Sequence, residues 1–324
     1  MTEIIIDKSL IFYRKLFELI CKIRIAFKKP KPINGKVFLY HGLTDKDDFF
    51  KHLNIDKFER HIEFLSTHYK PVHLDDLAKM NDDEKKNTFC ITFDDGYESI
   101  YSLAFPILKK YNVPFTFFII TDTIKNKEFI WNDRFDNAVK GIEKKNISLK
   151  FKDEEIKMKT SGNYRLGLKL SILKNKLKFL NFDEINKYIE SIEKEYEPEV
   201  RFSDSDKVVT TDKIIEMINS GLCKVGSHTC NHVSLTSIPI AEAENQASKS
   251  LEWLHDEIGP GDYFFCYPHG HFNKEVRNIV KKKGYIGAVT TIRGNNLRID
   301  DVFSIQRNPV NMEDISRFRI LHGL

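Results

Sequence analysis

The chain has 324 residues, 41% of them hydrophobic and 30% charged, which is enough for one large α/β domain or two ordinary ones and excludes disordered or collagen-like chains. A formal net charge of +4 is mild, and no arginine-rich stripe interleaved with aromatics is present, so nucleic acid is not expected as a partner. The five cysteines (Cys21, Cys90, Cys223, Cys230, Cys266) never form CxxC, which speaks against a disulfide framework or a zinc ribbon and fits a reducing compartment.

Residues 1–35 read as a basic N-terminal segment. Tyr13, Leu16, Ile20, Ile23 and Phe27 recur at helical spacing among Arg14, Lys15, Lys22, Arg24, Lys28 and Lys29. Charges interrupt every apolar stretch and no small-residue cleavage site follows, so the segment is a poor secretion signal and a cytoplasmic location is expected. Two readings stay open for it. An amphipathic helix packed on the domain is preferred, and the other is a helix on an anionic membrane surface, giving peripheral membrane contact through residues 1–30.

From residue 36 to 324 short apolar runs alternate with helical patterns. "KVFLYH", "TFCITF", "VPFTFFII", "CKVGSH", "YFFCYP", "YIGAVTT" and "VFSIQRNPV" read as strands, while "DKFERHIEFLSTHY", "TDKIIEMINSG" and "IPIAEAENQASKSLEWLHDEIG" read as helices. In "YESIYSLAFPILKKY" Pro106 is expected to bend or break a helix. Such alternation predicts parallel βα units in a barrel or a doubly wound sheet. Between about 132 and 206 the rhythm breaks into lysine- and glutamate-rich helical patterns with little that resembles a buried strand, read as a helical insertion, a candidate lid.

Chemistry collects at the strand ends. Asp94-Asp95-Gly96 closes "TFCITF", where a turn or helix cap is the bland alternative. His228 and His232 form HxxxH just after another strand, a spacing that puts two imidazoles on one face of a helical turn and, with a carboxylate, makes a candidate His-His-carboxylate metal site. "YFFCYPHG" ends in a turn, and "VFLYHG" brings His41 to a fourth strand end. In a (β/α) barrel such ends converge on one face.

Strand-TFDDGY, then GSHTxxH, then FxYPxG, with a YHG strand ahead of them, resembles the polysaccharide deacetylase (NodB-homology) family of carbohydrate esterases over roughly residues 36 to 310. The order of motifs is similar to the branch with an early histidine motif, that of the poly-N-acetylglucosamine deacetylases. "FIWNDRF" at 129–135 resembles the stretch with which that branch enters its insertion.

The resemblance implies a distorted (β/α) barrel with fewer strands than a full eight-stranded one. It also implies a divalent metal, Zn2+ as first choice, held by Asp95, His228 and His232, with Asp94 as general base and His41 as general acid. A backbone N–H after Pro268, that of His269, would stabilise the oxyanion; Tyr267, Arg307 and Trp131 are further substrate or oxyanion candidates.

Arg307 is equally readable as a structural ion-pair partner, Trp131 as core, and His322 is a lower-ranked rival to His41. Cys266 stands where many members carry an arginine, His269 where a tyrosine is common, and Cys230 reads as packing. The implied reaction removes N-acetyl groups from an amino sugar in a polysaccharide or its precursor, and the implied partner is an acetylated carbohydrate, lipid- or nucleotide-linked or at the cytoplasmic membrane face. An O-acetyl esterase, another small-amide deacylase and a catalytically silent carbohydrate-binding protein are the alternatives.

Overall fold

The computed structural model describes residues 29–46, 52–143, 146–159, 163–199, 206–311 and 313–324, together with Tyr13, Leu16 and Ile20. Those three are helical and exposed. Arg14, Lys15, Lys22, Ile23, Arg24, Phe27 and Lys28, on which the amphipathic reading also rests, lie outside the described residues.

In chain order the longer strands are β1 (Lys36–Tyr40), β2 (Thr88–Phe93), β3 (Phe115–Ile119), β4 (Asn146–Phe151), β5 (Glu154–Lys159), β6 (Cys223–Ser227), β7 (Phe264–Cys266) and β8 (Gly287–Val289), followed by the two-residue β9 (Asn308–Pro309). Seven of them form one sheet in the order β8-β7-β6-β3-β2-β1-β9, every neighbour parallel, with Lys70–Pro71 pairing beside β2. Ile305 bridges Val289 at one edge while β9 pairs with β1 at the other. The sheet therefore curls round on itself as a distorted (β/α) barrel. Each residue of β1, β2 and β3 is buried, which is why these strands read as nearly unbroken apolar runs rather than as alternation.

Helices cover the outside. In α1 (Ile55–His68), Phe58, Ile62 and Leu65 turn one apolar stripe to the sheet. Before Pro106 the chain makes a π-helical turn, Ile100–Ala104, and only then the α-helix Phe105–Lys110, so the proline sits in a first turn where its missing N–H costs nothing. "VFSIQRNPV" is not one strand: Val302–Ser304 is a 3-10 turn, and only Ile305 and β9 touch the sheet.

Between β3 and β6 stand α2 (Trp131–Lys140), the hairpin β4–β5, α3 (Asn163–Leu177) and α4 (Phe182–Tyr196). Phe135, Val139, Leu149, Leu173, Leu177 and Ile189 share an apolar cluster here, apart from the barrel core. The antiparallel hairpin is unlike the all-helical reading of this stretch. Ile147, Leu149 and Phe151 alternate with Asn146, Ser148 and Lys150, the period of two of a half-buried strand, set between lysine- and glutamate-rich helices.

Candidate active site

The C-terminal ends of β1, β2, β6 and the turn after β7 bring His41, Asp94, Asp95, His228, His232 and His269 to one cleft of about 340 Å³. β2 stops at Phe93, and the chain turns at once: Asp95 has φ +78° and Gly96 φ +85°. That turn is what lets two consecutive carboxylates face one cleft, since a continuing strand would send them to opposite sides.

Asp94 is buried and clamped. Arg307 donates from both guanidinium nitrogens to its two oxygens, at 2.7 and 2.8 Å, and is itself fixed by Nε to the Thr290 carbonyl at 2.9 Å. Burial alone pushes the Asp94 carboxyl up; Arg307, then His228, outweigh it and hold the group at about 2. Arg307 is fully buried, so it reaches Asp94 and not the cleft.

Asp95 is the opposite case. Burial, then the charge of Asp94, then that of Asp133, raise its carboxyl well above the usual range. Its Oδ1 accepts no hydrogen bond among the described residues, while His228 Nε2 and His232 Nε2 stand 3.5 and 3.4 Å away. Burial is the main cause that lowers both imidazoles, His228 to about 4 and His232 well below its ordinary value, so both are neutral at pH 7 with lone pairs to offer. The His228 Nδ1–H donates to the Cys266 carbonyl at 2.9 Å, which fixes the tautomer that points Nε2 at Asp95. At His232 Nδ1 the neighbour is the Asn132 side-chain amide, 3.4 Å away.

These donor atoms lie within 4.8 Å of one another. One carboxylate oxygen with no hydrogen bond, facing two oriented imidazoles, fits a divalent cation, which would satisfy all three. A second set, Asp94, His228 and Cys266, is as close but fits poorly. Arg307 holds the Asp94 oxygens, and burial keeps the Cys266 thiol protonated despite the lowering effect of Arg307. Cys230 is buried and tied to Gln246, in keeping with packing.

The HxxxH segment is a turn and not the helical turn its spacing suggests. Thr229 (φ +68°) and His232 (φ +60°) are left-handed, and Thr229 Oγ1 accepts from the His232 N–H at 2.9 Å. His269 (φ +59°) and Asp95 share that conformation, so four non-glycine residues at this one face hold a backbone form that ordinarily costs about 1–3 kcal/mol each.

His41 opens to the cleft. Burial lowers its pKa, against the raising charge of Asp94. Gly42 behind it has no Cβ because the His52 ring occupies that space, 2.4 Å from where a Cβ would stand.

Three of the named residues are buried away from the cleft surface, Trp131 in line with its core reading. Tyr267 is wholly buried, its hydroxyl donates to the Phe303 carbonyl at 3.1 Å and its own N–H goes to Val289, so it has nothing to offer a substrate. Trp131 is no open sugar platform either. It is buried, and its indole N–H donates to the His232 carbonyl at 3.2 Å, fastening the histidine turn to α2. His322 packs in the core against Phe38 and Phe318, which removes the rival acid. Sequence reading missed Tyr97, whose hydroxyl donates to Asp133 at 2.9 Å in the cleft wall, and missed Ser171, Lys174, Asn175 and Lys178, which the insertion adds to the lining. Tyr97 closes the quoted "TFDDGY" and Asp133 stood in "FIWNDRF", though neither was given a role; the residues of the insertion carried no motif.

A parallel barrel that gathers two carboxylates and two imidazoles at the C-terminal ends of its strands places a polar site where such folds carry their active sites. The family model for polysaccharide deacetylases matches residues 81–169 and 171–288, and the chain belongs to that family. YxkH of Bacillus subtilis is 21% identical over 286 residues, 86% of this chain and 72% of that protein. The poly-beta-1,6-N-acetyl-D-glucosamine N-deacetylase of Staphylococcus epidermidis is 32% identical over 105 residues, 32% of this chain and only 36% of that enzyme. In fold the chain is similar to the Streptococcus pyogenes deacetylase PplD, solved with acetate, at TM-score 0.57 and 16% identity, covering 87% of this chain and 93% of that one. It is similar too to IcaB from Ammonifex degensii, at TM-score 0.56 and 18% identity, covering 86% and 92%.

Proposed function

We propose that this chain is a metal-dependent N-deacetylase that hydrolyses the acetamide of an amino sugar in a polysaccharide or its precursor. The observation that carries the reading is Asp95 Oδ1, buried and without a hydrogen bond among the described residues, held 3.4–3.5 Å from two imidazole nitrogens beside the ionised, arginine-clamped Asp94. Asp95, His228 and His232 would hold the cation, a donor set that zinc accepts with a position left open, and zinc is the cation proposed. When bound, such a cation polarises the acetyl carbonyl and makes water a nucleophile near neutral pH.

The protein's own groups do the rest. Asp94 accepts the proton of the attacking water, its charge kept in place by Arg307. His41 gives a proton to the departing amine nitrogen as the C–N bond breaks and acetate leaves, an acid step that a poor leaving group requires. The His269 N–H is the oxyanion donor in this scheme. The presence of Asp94, Asp95, His228, His232 and His41 in one cleft favours an enzyme over a silent binding protein.

Acetate release from matched N- and O-acetylated sugars tests the reading. Chelated protein should release none, added zinc should restore release, and the N-acetyl series should be the better substrates. Turnover that survives chelation would remove the metal, and a preference for O-acetyl esters would make the protein an esterase.

A further inference from the structure

The cleft has a second wall, built by the insertion. Ser171, Lys174 and Asn175 of α3 and the following Lys178 line it at spacings of three, one and three residues, one face of the helix. Leu170, Leu173 and Leu177 bury the neighbouring face in the insertion's own apolar cluster, which fixes the rotation of α3 and aims the polar face at Asp94 and the histidines.

The two lysines of that face differ. Lys174 is paired with Asp136 at 2.8 Å. The Lys178 ammonium donates to the neutral Asn175 Oδ1 at 2.9 Å, and among the described residues no carboxylate forms an ion pair with it. Burial and the like charge of Lys174 lower its pKa, and Lys178 is the strongest charge acting on His269, in the turn that faces the reacting centre. The acidic groups of the cleft face other partners: Asp94 pairs with Arg307, Asp133 accepts from Tyr97, Asp136 pairs with Lys174, and Asp95 stands in the candidate metal site with His228 and His232. A half-buried cation is thus left over beside the centre, and a neutral acetylated glycan would leave it so.

We propose that Lys178 is a specificity residue: the amino sugar this cleft takes carries an anionic oxygen group, phosphate or carboxylate, that pairs with this ammonium. Lysine acts here as a point charge that accepts such oxygens from any direction. This assignment rests on the deacetylase reading of the same cleft.

The test compares kcat/KM for N-acetylglucosamine 1-phosphate, N-acetylmuramic acid and the neutral methyl glycoside of N-acetylglucosamine, in wild type, Lys178→Gln and Lys178→Arg. The anionic-to-neutral ratio should fall about tenfold in Lys178→Gln, through KM, and hold in Lys178→Arg, as loss of one charge-assisted contact requires. Raising the salt should shrink the wild-type ratio. The phosphate and carboxylate arms tell which anion is meant. A ratio that Lys178→Gln leaves unchanged overturns the assignment while the deacetylase stands. Wild-type protein inactive on all three sugars would overturn the deacetylase reading instead, and equilibrium dialysis then decides on Lys178. Glucosamine 1-phosphate should bind wild type better than the methyl glycoside of glucosamine, with the advantage lost in Lys178→Gln; no such advantage in wild type overturns it.

Discussion

Arg307→Met strips Asp94 of its clamp and leaves the carboxylate buried. In the native protein the group sits at about 2 against an ordinary 3.8, because Arg307 and His228 together outweigh burial. A depression of that size is worth about 2–3 kcal/mol of stability, fully present above the unfolded carboxylate's pKa near 4 and lost as pH falls from there toward 2. Without Arg307 burial governs, and the folded pKa rises above the unfolded one. The variant's deficit should then be smallest in acid, grow as pH rises past 4, and reach about 3–5 kcal/mol at pH 7, the cost of orphaning a buried charge. Urea unfolding of both proteins at intervals from pH 3 to pH 8, with slopes compared to check that the unfolded states match, measures it. A deficit that is the same at pH 4 and pH 7 would refute the reasoning, because Arg307 would then contribute packing alone.

Trp131→Phe removes the donor to the His232 carbonyl and should weaken metal binding about tenfold in competition with a chromophoric chelator, as loss of an outer support does; unchanged affinity would show that the turn holds itself. Gly270→Ala places a Cβ 2.0 Å from Thr291 Oγ1 at a φ of +76°, and thermal unfolding should show a loss of about 2 kcal/mol or more together with lost turnover. Because burial, then Asp94 and Asp133, raise the Asp95 carboxyl, cation affinity should climb with pH through the acid range as that group gives up its proton; metal titrations at a series of pH values check it, and an affinity independent of pH there would contradict it.

Much of the barrel was legible because β1 and β2 are buried on both faces and stand out as apolar runs ending in the polar turns of His41 and Asp94, while β6, with Lys224 outward, is marked by the histidine pair that follows it. What the sequence hid was orientation. Tyr267 follows a strand end as Asp94 does, yet its ring turns into the core and stacks on Phe272, a choice made by packing across the barrel and not by local pattern. Arg307, readable in the sequence as an ion-pair partner, meets Asp94 across a separation of 213 residues because the chain's last sheet segment curls back against β1. The hairpin β4–β5 was missed because its period of two is set between lysine- and glutamate-rich helices. The lysines of α3 were read as part of a helical pattern, and nothing short of the tertiary fold shows that one face of that helix looks into the cleft.

Metal content and acetate release measured side by side on wild type, Asp94→Asn, Asp95→Asn and His228→Ala bear most directly on the division of labour between the two aspartates. Wild type should hold one equivalent of divalent metal and release acetate; Asp94→Asn should keep the metal and lose turnover, and Asp95→Asn and His228→Ala should lose both. Full metal content in Asp95→Asn, or wild-type turnover in Asp94→Asn, would contradict the account.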